Sequence, residues 1–187
     1  MKDQLITPQE IRDQIWKELR RATQDRHHDW RTPVFATSGL SSTVNARTVV
    51  LRAVDSKANK LQIYTDARSS KASEIAIQEQ AIFVFWSSKL SWQLKVQVKA
   101  TLITSGSQIQ QTWAQVKQTA SAKDYLSSFA PGTSVPSDRQ TGDEDQTFLT
   151  HFAIVNAEIV EIDWLELARS GHRRAKISHD SWDWLVP

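Results

Sequence analysis

One segment constrains the fold of this chain more than any other. From Trp92 to Thr104 apolar and polar residues alternate strictly. The apolar set is Leu94, Val96, Val98, Ala100 and Leu102, and the polar set is Gln93, Lys95, Gln97, Lys99 and Thr101. Because successive side chains of a β-strand point to opposite faces, this pattern predicts a long strand with one buried face. Such a strand requires a sheet around it.

The rest of the chain supplies the neighbouring strands. Residues 34–54, with a turn at 38–42, and residues 61–65 predict a three-strand meander. Further strands are predicted at 82–86, buried on both faces, and at 152–162, followed by a closing hairpin of 173–177 and 182–186. Strands follow one another without a βαβ alternation, which favours an antiparallel sheet or barrel of six to eight strands.

Helices are expected at the edges of this sheet. Thr7, Pro8 and Glu10 form a capping-box pattern, which predicts a helix down to about Gln24. Shorter helices are predicted over 71–80 and 107–119, and a loop over 130–146. No internal repeat or dividing linker is present. We therefore expect a single domain over residues 1–187, mainly β with flanking helices.

Composition excludes several classes of protein. The chain of 187 residues has a net charge of +2 and no cysteine, which argues against a nucleic-acid coat, a polybasic membrane anchor and thiol chemistry. It contains no apolar run long enough to span a bilayer and no signal-peptide pattern. We expect a cytoplasmic protein with no nucleic acid and no membrane partner. Only five glycines are present, and no Gly-rich phosphate loop, so a bound nucleotide would be held by side chains.

Two arginines bracket an apolar segment. Arg47 and Arg52 lie five positions apart in Arg-Thr-Val-Val-Leu-Arg, so strand alternation points them to opposite faces. An arginine on the core face needs an anionic partner, because an unpaired buried charge costs several kcal/mol. In the alternative, one arginine ends its strand in water, and spacing alone does not decide between them.

A second cationic cluster follows at the junction between a strand and a helix. Residues 64–71 read Tyr-Thr-Asp-Ala-Arg-Ser-Ser-Lys and combine hydroxyls, two cations and free helix N–H groups, as a phosphate requires. The alternative is a capped helix with Arg68 and Lys71 in solvent. Gln93 offers an amide donor and acceptor at the start of the alternating strand, where it could equally be solvated.

The order of these motifs resembles the pyridoxamine 5′-phosphate oxidase-like family of FMN-binding split β-barrels. The resemblance covers residues 32 to about 104 well. In particular, the chain is similar to the cyanobacterial branch of this family, whose activity is unassigned. It implies a homodimer with FMN at the subunit interface. It also implies FMN contacts from the following residues: Arg47, Thr48, Val49, Val50, Leu51, Arg52, Tyr64, Thr65, Arg68, Ser70, Lys71 and Gln93. Ser70 stands where the family usually has an arginine, and Arg68 could substitute for it.

The substrate residues of the family are only partly present. The family has an Arg-Leu-His segment near its C-terminus, of which the sequence His-Arg-Arg-Ala here keeps only Arg173. Of the tyrosine, arginine and serine that the family places in the preceding helical region, Tyr125 is available. The resemblance also implies that Trp164 lies near the flavin. The B6 phosphates are therefore not the expected substrate. We expect an FMN-dependent oxidoreductase acting on a small molecule. Two alternatives stay open: a non-catalytic flavin- or haem-binding protein, and a weaker one, a barrel that binds single-stranded nucleic acid through tryptophans, Lys95 and Lys99.

Overall fold

A computed structural model describes residues 7–39, 43–134, 150–178 and 180–187. The helices are α1 (Pro8–Gln24), α2 (Ser70–Ile77) and α3 (Ser107–Val116), with two short 3₁₀ helices at Asp29–Arg31 and Ala120–Tyr125. The strands are β1 (Val34–Ser38), β2 (Val44–Thr48), β3 (Leu51–Asp55), β4 (Lys60–Asp66), β5 (Gln80–Ser87), β6 (Trp92–Ile103), β7 (Phe152–Glu166), β8 (Arg173–Ile177) and β9 (Trp182–Leu185). All nine strands join one antiparallel sheet.

The sheet curls into a split barrel. Its main path runs β2-β1-β5-β6-β7-β4-β3, and β8 and β9 extend it from β7. The two end strands, β2 and β3, follow one another in the chain and are joined only by residues 49–50. The sheet must therefore bend until its ends meet, but β2 and β3 do not pair with each other within the described residues. The predicted antiparallel barrel is confirmed, with nine strands rather than six to eight.

The core fills the inside of this barrel. One cross-strand row contains Phe35, Phe83, Val96, Ile162 and Ile177, each 5% exposed or less. The alternation predicted for β6 is confirmed, since its apolar positions from 94 to 100 are buried and its polar positions are not. Burial of such side chains contributes roughly 1.5–3 kcal/mol each, so this row is a main source of stability.

Two details of the predicted strands are wrong. Residues 82–86 are not buried on both faces, because β5 alternates and Trp86 is 47% exposed. Residues 47–52 are not one strand, since β2 ends at Thr48 and β3 begins at Leu51. At residues 49–50 the chain passes from one end of the sheet to the other. The Val49 N–H therefore donates to the Pro33 carbonyl instead of to a neighbouring strand.

Helices cover the barrel on separate sides. The capping box of α1 is confirmed, and its apolar face, with Ile11, Ile15 and Leu19, joins the main core. Helix α3 packs over β7 and closes a second, smaller core that includes Tyr125 and Phe152. Helices α2 and α3 each end about three residues before their predicted limits. Most of the predicted loop over 130–146 lies outside the described residues.

Candidate functional site

A half-buried lysine lies at the start of α2. The ammonium of Lys71 donates to the Thr65 hydroxyl at 3.0 Å, and this hydroxyl is 3.0 Å from that of Ser69. Among the described residues no carboxylate lies within 4.0 Å of the ammonium. Ser69 is the N-cap of α2, but its side chain accepts no helix N–H. The first turn of α2 therefore presents a cation, hydroxyls and backbone donors together, which suits an anion.

Arg47 lies beside Lys71 and is held by a buried carboxylate. It stands opposite Phe35 in register, so its side chain is on the core face. Its guanidinium donates to Glu74 of α2 at 3.0 Å, and the side chains of Arg47 and Glu74 are 21% and 6% exposed. Thr37 and Asn45 also donate to the Glu74 carboxylate. The core-face arginine thus has the anionic partner that burial requires.

The charges in this cluster affect one another. Burial lowers the pKa of Lys71, and the nearby positive charge of Arg47 lowers it further. Burial alone would raise the pKa of Glu74, but hydrogen bonds from Thr37, Asn45 and Arg47 together hold it below its ordinary value. Two cations therefore lie near each other, and the one carboxylate that forms an ion pair in this cluster, Glu74, is bonded to Arg47 and not to Lys71. An additional anion would relieve the repulsion between Lys71 and Arg47.

Arg68 has a different set of partners. Its guanidinium forms a bidentate pair with Asp66, at 3.1 and 2.7 Å, and also donates to the carbonyls of residues 127–129. These contacts tie the β4–α2 junction to the segment after the second 3₁₀ helix. Ser70, which stands in the family's arginine position, is exposed as the first residue of α2.

Arg52 lies on the outer face of β3, next to the fully buried Leu51. The predicted opposite orientation of Arg47 and Arg52 is found, but on two different strands rather than along one. The guanidinium carbon of Arg52 lies 5.5 Å from the centroid of the Tyr64 ring, and its positive charge lies near enough to Tyr125 to oppose the rise in the pKa of that phenol. Burial raises the pKa of both tyrosines. Arg52 and Arg31 line a cavity of about 270 Å³ beside Tyr64 and α3, and its lining contains no carboxylate.

The remaining residues predicted to contact FMN or substrate lie away from Lys71 within a single copy of the chain. Gln93 is half-buried on the outer face, in register with the exposed Trp86. Arg173 pairs with Glu166 and lies 5.3 Å from the centroid of the Trp164 ring. Trp164 itself is fully buried, so it offers no surface to a flavin and its expected placement is wrong. Thr48 and residues 49–51 occupy the junction between the two ends of the sheet.

The Lys71 cluster consists of Lys71, Thr65, Ser69 and Arg47, together with Glu74 and the two residues that donate to it, Thr37 and Asn45. Sequence reasoning missed Thr37, Asn45 and Glu74. The signal for Asn45 was available, because it lies two residues before Arg47 on the same strand and therefore shares its face. Glu74 carried no such signal, since only the packing of α2 against β1 brings it to Arg47.

Other kinds of site find little support. In the described part of the chain no group of three or more metal-ligating side chains is present. Lys95 and Lys99 each pair with a carboxylate, Asp163 at 3.3 Å and Glu79 at 3.8 Å, which weakens the nucleic-acid alternative. Within the described residues, no helix has both the length and the apolarity needed to cross a bilayer.

Comparison with known proteins agrees with this fold. Residues 13–104 match the family model of the pyridoxamine 5′-phosphate oxidase FMN-binding domain. A pyridoxamine 5′-phosphate oxidase-related, FMN binding protein from Nostoc punctiforme is 21% identical, with a TM-score of 0.73 over 98% of this chain and 100% of that one. PhzG from Burkholderia lata, in complex with tetrahydrophenazine-1-carboxylic acid, is 14% identical, with a TM-score of 0.71 and 98% of each chain covered. None of the curated protein sequences matches this chain significantly.

The split barrel and the cationic start of α2 define a class of protein with the FMN-binding split-barrel fold. Within that class, residues 13–104 match the pyridoxamine 5′-phosphate oxidase-like family, and the chain as a whole shares the fold of a protein related to that family.

Proposed function

We propose that this protein is an FMN-dependent oxidoreductase that acts as a homodimer on a small anionic substrate. The observation that carries the proposal is Lys71, a half-buried ammonium that contacts the Thr65 hydroxyl and lies near Arg47. A phosphate monoester has close to two negative charges and three acceptor oxygens. It would complete the set of donors that Lys71, Ser69 and the first turn of α2 present.

Each predicted FMN residue has a place in this proposal. Lys71, Thr65, Ser70 and the Arg47 side chain would bind the phosphate, and backbone groups of residues 48–51 would lie along the flavin. Arg68 would act indirectly by anchoring the junction, because its guanidinium already binds Asp66 and three carbonyls. When bound, FMN supplies two-electron redox chemistry, and the protein, which has no cysteine, supplies orientation and charge.

The substrate would bind beside Tyr64 in the cavity that Arg31 and Arg52 line. Two guanidinium groups without a lining carboxylate favour a carboxylate or phosphate on the substrate. PhzG, which shares the fold, holds a ligand with a carboxylic acid group. The roles expected for Arg173 and Gln93 fit this scheme only through a second chain, since neither contacts the Lys71 cluster in one chain within the described residues.

Exposed apolar side chains on the outer face support the homodimer. Trp86 is 47% exposed and lies in register with Gln93, which pairs in turn with Leu165. A second copy on this face would bury Trp86 and bring Gln93 toward the partner's flavin. Sedimentation should then give twice the 21.3 kDa of the chain, and Trp86→Lys should yield monomers that lose FMN. A monomer that retains FMN at full affinity would contradict the shared site.

The FMN proposal is tested with two flavins. Wild-type protein should bind FMN much more tightly than riboflavin, which lacks the phosphate. Lys71→Met should remove most of that difference, about 1.5–3 kcal/mol, and leave riboflavin binding unchanged. The control is Lys99→Met, whose lysine is exposed and pairs with Glu79. Equal FMN affinity in wild type and Lys71→Met would place the phosphate elsewhere.

Turnover is tested separately. Anaerobic mixing of the FMN-loaded protein with candidate reductants should bleach the flavin absorbance with at least one small anionic compound. Arg52→Gln should slow that reduction and leave FMN affinity unchanged. Bleaching by none of a broad panel would favour the non-catalytic alternative, and a haem spectrum after purification would favour its haem-binding form. The cytoplasmic location stays a prediction, which cell fractionation checks.

A further inference from the structure

A buried histidine joins α1 to the first 3₁₀ helix and is not part of the Lys71 cluster. The side chains of His28 and Glu18 are 8% and 7% exposed, and Nε2 of His28 lies 2.7 Å from a carboxylate oxygen of Glu18. Glu18 is on α1, where Gln14 and Arg21 also donate to its carboxylate. The imidazole is therefore held against α1 by a buried carboxylate.

The other ring nitrogen fixes the tautomer of His28. Its Nδ1 accepts a hydrogen bond of 3.1 Å from the Trp30 N–H and so caps the 3₁₀ helix at Asp29–Arg31. A ring nitrogen that accepts a hydrogen bond has no hydrogen of its own, so the single hydrogen of the neutral ring is on Nε2 and is donated to Glu18. A second proton could enter only at Nδ1, where it would face the Trp30 N–H and break the cap.

The helix that His28 caps leads into the substrate cavity proposed above. The backbone N–H of Arg31 donates to the His28 carbonyl at 2.9 Å. The Arg31 guanidinium donates to the carbonyls of Ala22 and Thr23 at the end of α1, and Arg31 lines the cavity together with Arg52. The position of Arg31 therefore depends on the turn that His28 caps and on the contact of that turn with α1.

Water reaches His28 from a separate cavity of about 270 Å³, which α1, the His28 turn and the β5–β6 turn enclose. The His27 N–H donates to Asp25 and lowers the pKa of its carboxyl. Burial alone would raise the pKa of Asp29, but hydrogen bonds from Ser87 and Ser88 hold it below its ordinary value. Both carboxylates thus stay charged over the pH range in which histidines gain a proton. The charged residues that face His28 from this lining are Lys17, Glu18, Arg21, Asp25, Asp29 and Lys89.

We propose that His28 is a positioning residue for Arg31, and that a proton taken up from solvent at Nδ1 breaks the cap, displaces Arg31 and lowers the affinity of the substrate cavity for an anion. This inference rests on the proposed function, which makes the cavity of Arg31 and Arg52 the substrate site. Simple electrostatics has the opposite sign, because an added positive charge near the cavity would strengthen anion binding. A loss of affinity as the pH falls is therefore specific to the positioning role.

The probe is benzoate, a flat carboxylate that stays ionised between about pH 5.5 and 8. Calorimetric titration into FMN-saturated protein should show that benzoate binds about threefold to tenfold more weakly at the lower pH, as the loss of one hydrogen bond predicts. Equal or tighter binding at the lower pH would overturn the proposal.

Nitrogen NMR separates this inference from the proposed function, since it needs neither flavin nor benzoate. At about pH 8 the Nδ1 of His28 should resonate as a nitrogen without hydrogen, and Nε2 as a nitrogen with one. As the pH falls, the Trp30 N–H and Arg31 Nε–H signals should move with the same midpoint as the His28 ring. An Arg31 signal that does not respond to protonation of His28 would overturn the positioning role. The absence of benzoate binding at both pH values, with these shifts present, would overturn the substrate site alone.

Two replacements of His28 separate its two contacts. His28→Asn keeps an acceptor for the Trp30 N–H and cannot titrate, so it should bind benzoate as wild type does at the higher pH and lose the pH dependence. His28→Gln has its amide at the position of Nε2 rather than Nδ1, so it can donate to Glu18 but should bind benzoate weakly at both pH values. His27→Asn, at the exposed neighbour, is the matched control and should keep the wild-type pH dependence. Full pH dependence in His28→Asn, or its loss in His27→Asn, would contradict the role of His28.

Discussion

Arg47 and Arg52 are separated by four residues but occupy different chemical environments. Arg47 is on the core face, where it donates to Glu74 and Thr37, and Thr37 and Asn45 donate to the same carboxylate. Arg52 is on the outer face, where it lies over the Tyr64 ring and lines a cavity. The ion pair with Glu74 fixes the position of the Arg47 charge and leaves its side chain 21% exposed, whereas Arg52 lies over one aromatic ring without a carboxylate partner among the described residues. Under the proposed function, Arg47 would hold the phosphate of the cofactor and Arg52 would select the substrate.

The largest effect should come from removing the carboxylate of the Arg47 network. Glu74→Ala leaves the Arg47 guanidinium, the Thr37 hydroxyl and the Asn45 amide without their acceptor. It should lower the free energy of unfolding by about 2–4 kcal/mol in denaturant titration. The matched control is Glu79→Ala, whose exposed pair with Lys99 should contribute less than about 0.5 kcal/mol. Similar losses in the two variants would mean that the network does not stabilise the fold.

Substitution of the two arginines should change FMN affinity by different amounts. Arg47→Ala should weaken FMN by about 1.5–3 kcal/mol, since a charge-assisted contact to the phosphate is lost. Arg52→Ala should change it by less than about 0.5 kcal/mol if its side chain serves the substrate cavity. Fluorescence titration of both variants measures the difference. If Arg52→Ala weakens FMN as much as Arg47→Ala does, the functional separation of the two sides fails.

The pH dependence of FMN binding should follow Lys71. Burial and Arg47 lower its pKa in the free protein, and a bound phosphate would favour the charged form and raise it. FMN affinity should therefore be constant below the lowered pKa of Lys71 and fall as the pH rises through it. Titration between about pH 7 and 10.5, up to the ordinary lysine range, measures this fall. The same fall in Lys71→Met would assign it to another group.

The smallest effect should appear on the outer face. Tyr125→Phe removes the phenol hydroxyl that lies near the Arg52 charge and should lower the free energy of unfolding by less than about 1 kcal/mol. Its influence on FMN affinity should fall within error. A larger change in FMN binding than in stability would connect this hydroxyl to the phosphate side and weaken the comparison.

Local patterns predicted much of the barrel. The alternation in β6, the capping box of α1 and the closing hairpin of β8 and β9 all depend on residues close in sequence, and the structure confirms them. The candidate site was harder, because its residues come from separate elements. The sequence indicated Arg47 and Lys71 as cations, but the hydrogen bonds between β1, β2 and α2 decided that Glu74 neutralises Arg47. Asp66 and the carbonyls of residues 127–129 likewise occupy Arg68.

The sequence by itself determined the strands, the antiparallel order and the two groups of cations, because periodicity and charge are local properties. Tertiary structure alone decided that β2 and β3 lie at opposite ends of the sheet and that residues 49–50 cross the opening between them. It also decided which arginine pairs with a buried carboxylate. Closure of a barrel depends on the pairing of strands far apart in sequence, and the free energy of a buried charge depends on the partners that closure brings to it.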